Sequence, residues 1–220
     1  MENIFLFGAS DHCKYTIDII EKEGKYKIVG IFDKRLLPGE IFYSYKVLGY
    51  IDDLLKLSNS LKISKGIVAI GDNFTRMKLA NEIKSIIQDF KFVNAIHPSV
   101  IIGKNSKIGD GCVFMAGVIL NNDCLIGDYV FLATKSSVDH DSIISNYSSL
   151  SPGVTTGGRV TIGECTAIGI GATILHYINI GSNCVIGASS LINKDVQDNS
   201  VIYGVPGKLI RIRLNDEKYL

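Results

Sequence analysis

The residues with the most chemical potential are a histidine set between carboxylates, Val138-Asp139-His140-Asp141. A neutral imidazole near pH 7 can take a proton from an attacking nucleophile. An acidic neighbour can hold the ring tautomer and stabilise the imidazolium that forms. The competing reading of His140 is a solvated side chain on an outward corner. A second place of interest is Gly8-Ala9-Ser10-Asp11-His12, which closes an apolar run and precedes a helical stretch. Consecutive backbone N–H groups at a helix N-terminus favour phosphate.

The elements around these residues fall into two regimes. Residues 1–95 alternate strand and helix signals. Ile4 to Phe7 is an apolar run ending at Gly8, Lys27 to Phe32 a second ending at Asp33, and Gly66 to Ile70 a third ending at Gly71-Asp72-Asn73. Helical spacing is read after Ser10, over Ile51 to Leu61 and over Met77 to Phe90. This alternation predicts a small parallel α/β sheet flanked by helices, a Rossmann-like domain. Such sheets bind ligands at the carboxyl ends of their strands, where Gly8-Ala9-Ser10, Asp33 and Gly71-Asp72 all fall.

From Ile96 the period becomes six. Every sixth residue from Ile96 to Ile192 is a large apolar side chain, with Thr156 the one exception. The residue four places after each, from Val100 through Cys112, Cys124 and Cys184 to Val196, is small or β-branched in every unit. Neither a helix nor a simple strand has a strict period of six; a prism with three short strands per coil does. Coils of eighteen residues stack at about 4.8 Å, so residues eighteen apart share a column. Asn122, His140, Gly158, His176 and Lys194 form one column, and Asp123, Asp141, Arg159 and Tyr177 the next. Arg159 is therefore expected near Asp141, as a surface ion pair. The domains are expected at 1–95 and 96–220.

Composition narrows the class. The 220 residues carry a net charge of +1, from 23 basic and 22 acidic residues, which leaves no footprint for nucleic acid or an anionic membrane. No run of eighteen apolar residues suggests a membrane span. The opening Met1-Glu2-Asn3-Ile4 lacks the basic n-region of a signal peptide and reads as a first strand, so a cytoplasmic location is expected. The five cysteines include no CxxC pair and imply neither a disulfide framework nor a zinc site. Cys112, Cys124 and Cys184 occupy the small interior slot and are expected to be buried thiols.

The repeat resembles that of the hexapeptide acyltransferases, whose parallel β-helix is left-handed. The fuller pattern is similar to the bacterial nucleotide-amino-sugar N-acetyltransferases of the bacillosamine type and the related sialic-acid O-acetyltransferases. It comprises the Gly8-Ala9-Ser10-Asp11-His12 loop, Asp33 after the second strand, Gly71-Asp72-Asn73 with Arg76, Ile96-His97-Pro98 at the junction, and Gly204-Val205-Pro206-Gly207-Lys208 near the end. The resemblance implies an acetyl-CoA-dependent enzyme that needs no metal and packs as a homotrimer with shared active sites.

It also assigns residues. His140 is the general base and Asp141 its orienting partner. The Gly158 amide would serve as an oxyanion donor, against the alternative of a glycine required by a tight corner. Ser149 stands where the family often has a second histidine that contacts the acetyl donor. Gly169, Ile170 and Ala188 would line acetyl-CoA, with Ala188 in place of a family glycine. Gly8, Ser10, Asp11 and His12 would face the nucleotide sugar, and Asp33, Lys34 and Gly49 its base or ribose. Asp11 replaces a family glycine, and its alternative reading is a helix N-cap. His176 would flank the CoA arm or stand in solvent, and His97 is read as structural.

The leading function is N-acetylation of a nucleotide-linked, UDP-type amino sugar for a surface glycan, by direct attack in a ternary complex. O-acetylation of a sialic-acid-type sugar is the enzyme alternative, and a non-catalytic trimeric scaffold the alternative from another class. A zinc enzyme on the same prism would need three converging histidines, and the four in this chain occupy different columns or distant coils.

Overall fold

The computed structural model describes residues 1–214 and 217–218; positions 215, 216, 219 and 220 of the second expected domain lie outside the described residues. The chain divides into two compact units, Met1–Gly71 with Thr75–Pro98, and Asp72–Phe74 with Ser99–Leu220.

In the first unit, β1 (Glu2–Phe7) is the central strand, and its Ile-Phe-Leu-Phe run is buried on both faces, as a covered parallel strand requires. It pairs in parallel with β2 (Tyr26–Phe32) on one side and with a later strand, Lys65–Val68, on the other. Helix α1 (Asp11–Glu23) buries Cys13, Thr16, Ile17, Ile19 and Ile20 and stops at Gly24, whose φ of 68° and N–H bond to the Ile20 carbonyl make a left-handed C-cap. A hairpin follows, β3 (Ile41–Phe42) and β4 (Tyr45–Gly49). It escapes sequence reading because its two-residue turn uses Tyr43 and Ser44 at positive φ, without the Asn-Gly or Gly signal such turns favour. Helix α2 (Leu54–Leu61) is preceded by a 3₁₀ turn at Ile51–Asp53. Strand β5 (Lys65–Val68), helix α3 (Asn73–Ile86) and β6 (Lys91–Phe92) complete a sheet of order β3-β4-β2-β1-β5-β6.

Helix α3 corrects the expected span of Met77 to Phe90: it begins and ends about one turn earlier. Apolar spacing marks the buried face of a helix rather than its ends. Phe90, at the end of the expected helix, instead turns its ring edge-on to Phe7 at 5.6 Å.

The second unit is the left-handed parallel β-helix. Two-residue strands pair with those of the neighbouring coils at a register of eighteen, as Ile119 does with Ile101 and Ser137. The six-residue slots from Phe114 to Ile192 are all buried. The large slots of a prism are expected to fill its interior throughout, but in the first coil Ile96 and Ile108 are only half-buried and Ile102 keeps 44% of its surface exposed. An end coil has a neighbour on one side only, so its slot is half open.

The turns obey a second rule. Every sixth residue from Asn105 to Ser189 has a left-handed φ, and most of these are not glycine. Each unit therefore turns its corner through one left-handed residue, a geometry that Asn and Asp tolerate best. The small column has a polar task as well. Ser148 Oγ donates to the Gly163 carbonyl at 2.6 Å, Thr166 Oγ1 to Gly181 at 2.7 Å, and Cys184 Sγ to Gln197 at 3.1 Å. Small hydroxyls and thiols fit inside and also partner corner carbonyls that the strand ladder leaves over. Cys112, Cys124 and Cys184 are fully buried, and burial raises the thiols of Cys124 and Cys184 above their ordinary range.

Candidate active site

In the first unit the carboxyl ends of β1, β2 and β4 converge. Gly8 has φ 102°, and a Cβ there would lie 2.8 Å from Ile70 Cγ1, so the loop after β1 needs a glycine. Asp33 organises this loop. Its Oδ2 accepts the Ala9 N–H at 2.7 Å, and its Oδ1 accepts the N–H groups of Arg35 and Leu36 at 2.8 and 3.2 Å. Arg35 Nη2 closes the circuit on the Ala9 carbonyl at 2.6 Å. Nothing in the spacing of the sequence marks Arg35 for this role. Lys34 is exposed, and Gly49 is buried, its carbonyl accepting the Asp33 N–H at 3.3 Å.

Ser10, not Asp11, holds the N-cap position of α1. Asp11 is the first helical residue, and its carboxylate turns to Lys14 Nζ at 2.7 Å, which lowers its pKa below the ordinary value. The negative charge that replaces a family glycine is thus compensated locally. His12 is buried, its Nδ1 2.5 Å from the Tyr15 hydroxyl. Burial, and then the nearby Arg76 cation, push its pKa well below the ordinary imidazole value, so it is neutral. Arg76 is itself buried and donates from Nη1 to the Ile70 and Gly71 carbonyls at 3.0 and 2.8 Å, fixing the turn after β5.

In the second unit, His140 sits at a prism corner after the strand Ser137–Val138. Its Nδ1 lies 2.7 Å from Asp141 Oδ2. A carboxylate there fixes the proton on Nδ1 and leaves the Nε2 lone pair available as a base. Asp141 is the left-handed corner residue, with φ 57°, and this turns its side chain back beside the ring. The hydrogen bond from His140, and then the Arg159 charge 3.5 Å away, hold the Asp141 carboxyl below the usual carboxylate range. The other flank is also built: Asp139 Oδ1 accepts the His140 N–H at 2.8 Å and Asn121 Nδ2 at 2.6 Å.

Gly158 lies one coil beyond the base. A Cβ on it would stand 2.5 Å from His140 Nε2, so the absent side chain is what lets the ring lie over this glycine. The Gly158 N–H is engaged: it donates to His176 Nδ1 at 2.9 Å. Sequence spacing had put the three residues in one column without showing this bond.

Other expected site residues lie elsewhere on the prism. Ser149 is buried on a strand paired with Phe131 and Ala167. Gly169 with exposed Ile170, and exposed Ala188 one coil on, follow strands of that same face, at a different corner from His140. A single chain therefore brings together His140, Asp141, Gly158 and His176, but not Ser149, Gly169, Ile170 or Ala188 with them. Among the described residues, no group of three or more His, Cys, Asp or Glu side chains is arranged to hold a metal ion. No helix among them is long and apolar enough to cross a membrane.

A hexapeptide prism carrying an imidazole–carboxylate pair over a bare glycine defines the class as a hexapeptide-repeat acyltransferase. Comparison with known proteins narrows this. Residues 3–83 match the PglD N-terminal domain family, and residues 99–134 match the bacterial transferase hexapeptide family of six repeats. Perosamine N-acetyltransferase from Caulobacter crescentus, solved with CoA and GDP-perosamine, superposes with a TM-score of 0.88 at 31% identity, over 95% of this chain and 97% of that one. The acetyltransferase domain of PglB from Neisseria gonorrhoeae gives a TM-score of 0.87 at 28% identity, over 96% and 100% of the two chains. The UDP-N-acetylbacillosamine N-acetyltransferase of Bacillus subtilis is 30% identical over 119 residues; the match spans 53% of this chain and 52%, about half, of that curated relative. The chain belongs to the hexapeptide-repeat family of nucleotide-amino-sugar N-acetyltransferases.

Proposed function

We propose that this protein transfers the acetyl group of acetyl-CoA to the amine of a nucleotide-linked amino sugar. The observation that carries the reading is the corner itself: His140 Nδ1 is bound to Asp141 while Nε2 lies over Gly158, where no side chain blocks it. The neutral amine attacks the thioester carbon, the N–C bond forms, and the C–S bond breaks. His140 Nε2 takes the amine proton as attack proceeds and passes it to the departing CoA sulfur. Asp141, kept ionised, stabilises the imidazolium between the two transfers.

The loop held by Asp33 is the proposed seat of the acceptor. Its backbone N–H groups at the start of α1 suit a diphosphate. The base is open between the UDP-sugar suggested by the bacillosamine relative and the GDP-sugar bound by the perosamine enzyme. The measurement is CoA release with UDP-, GDP- and dTDP-linked amino sugars, against the same sugars without nucleotide. Turnover is expected with a nucleotide-linked amine. Transfer only to hydroxyl acceptors, or to none of these, would overturn the reading.

We also propose a homotrimer. Ser149, Gly169, Ile170 and Ala188 share no corner with His140 in one chain, and side-by-side packing of prisms is the arrangement that supplies them from a neighbour. Solution mass should be close to three times the chain mass of 24.0 kDa. A stable monomer at micromolar concentration with full activity would rule out a site shared between subunits.

A further inference from the structure

The Gly157-Gly158 pair is clasped by two imidazoles. His140 comes from the coil before it and His176 from the coil after, each eighteen residues from Gly158. A Cβ on Gly158 would collide with the His140 ring, and one on Gly157 would lie 2.8 Å from His176 Cγ and 2.9 Å from its Nδ1. Gly158 is thus cleared for the His140 ring, while at Gly157 the His176 backbone nitrogen, 2.7 Å away, would be met first. The two rings are held in opposite tautomers. Asp141 puts the proton of His140 on Nδ1. The Gly158 N–H, which can only donate, requires a lone pair on His176 Nδ1.

Glycine has the widest backbone freedom of any residue, and this one forms the floor under the base. Its carbonyl is tied by the Tyr177 N–H at 3.0 Å. Its N–H is tied by the His176 side chain. From this geometry we infer that His176 is a positioning residue: by holding the Gly158 amide it fixes the surface against which His140 Nε2 rests. It rests on the transfer reaction proposed above and extends it by one residue.

The test uses the full-length protein with three substitutions. His176→Ala removes the acceptor. His176→Asn keeps an acceptor oxygen at the reach of Nδ1. His176→Gln extends past it and places its amide near Nε2. In protein labelled with 15N at histidine and glycine, His176→Ala should shift the His140 ring resonances and speed hydrogen exchange at the Gly158 amide; His176→Asn should restore both. In turnover, His176→Ala should lower kcat about tenfold, as a small misplacement of a reacting group does. The KM for acetyl-CoA should stay within about twofold by the same reasoning, because only positioning is lost. His176→Asn should recover most of kcat and His176→Gln little. Unmoved His140 resonances in His176→Ala would overturn the inference whether or not an acceptor has been found. Rescue of turnover by Gln and not Asn would overturn it too, showing that Nε2–H meets the substrate directly. A wild type that turns over no nucleotide-linked amine, with the His140 ring shifts still seen in His176→Ala, would sink the proposed reaction and leave the positioning role standing.

Discussion

His140→Ala should lower kcat by about 100- to 10,000-fold, the usual contribution of a general base, while acetyl-CoA still binds. The ring makes its hydrogen bond to Asp141 outside the prism wall, and alanine there opens no cavity in the core, so the fold should persist. Asp141→Asn should cost less, because an amide oxygen can still accept from Nδ1 and only the charge that stabilises the imidazolium is lost. The pH profile follows from the same pair. The base must be neutral to act, so activity should be lost on the acid side of the profile. The His140 hydrogen bond and the Arg159 charge hold the Asp141 carboxyl below the usual carboxylate range, so it stays ionised near neutral pH and adds no second acid limb. A His140→Ala protein with near-normal turnover would move the base elsewhere, with His176 the first candidate in the same column.

Gly158→Ala should lower kcat by about 100-fold, on the scale of a 1 Å misplacement of a reacting group. The new Cβ would stand 2.5 Å from His140 Nε2, 2.7 Å from Cε1 and 2.9 Å from Cδ2. Side-chain atoms do not approach so closely, so the ring must swing outward and stretch its bond to Asp141. The backbone of Gly158 is not in the left-handed region, so the cost falls on the ring rather than on folding. Thermal stability should therefore change little and the KM for acetyl-CoA only modestly. Gly163→Ala is the contrasting variant. Its Cβ would meet the backbone of the next coil, 2.5 Å from the Gly181 carbonyl carbon, and it should lower Tm. A folded Gly158→Ala enzyme with wild-type kcat would mean that His140 Nε2 does not act where the structure places it.

The period of six was legible because a prism repeats one steric demand at every coil: a large side chain fills the interior beside each face, and a small one fits near each corner. That demand leaves the same mark from Phe114 to Ile192, and it carried the stacking of His140, Gly158 and His176 with it. The N-terminal alternation was legible for a similar reason, since a covered parallel strand such as Ile4 to Phe7 must be apolar on both faces. The hairpin of β3 and β4 was not, because Tyr43 and Ser44 carry a turn usually built from glycine or asparagine. The first turn of α3 was not, because polar Asn73 and Arg76 supply no apolar spacing.

The sequence by itself therefore determined the two folding regimes, the column that holds the base, and the carboxylate beside it, since each follows from local spacing along the chain. Only the tertiary structure decided where polar groups spend their hydrogen bonds. Asp33 turned out to hold the Gly8-Ala9-Ser10 loop with Arg35, Asp11 to face Lys14, His12 to be buried beside Arg76, and the Gly158 amide to be taken by His176. Apolar burial is non-directional and repeats with the backbone, so a pattern of residue types is enough to reveal it. A hydrogen bond depends on distances of a few tenths of an ångström and on angle between groups brought together by folding, and residue types alone do not contain that information.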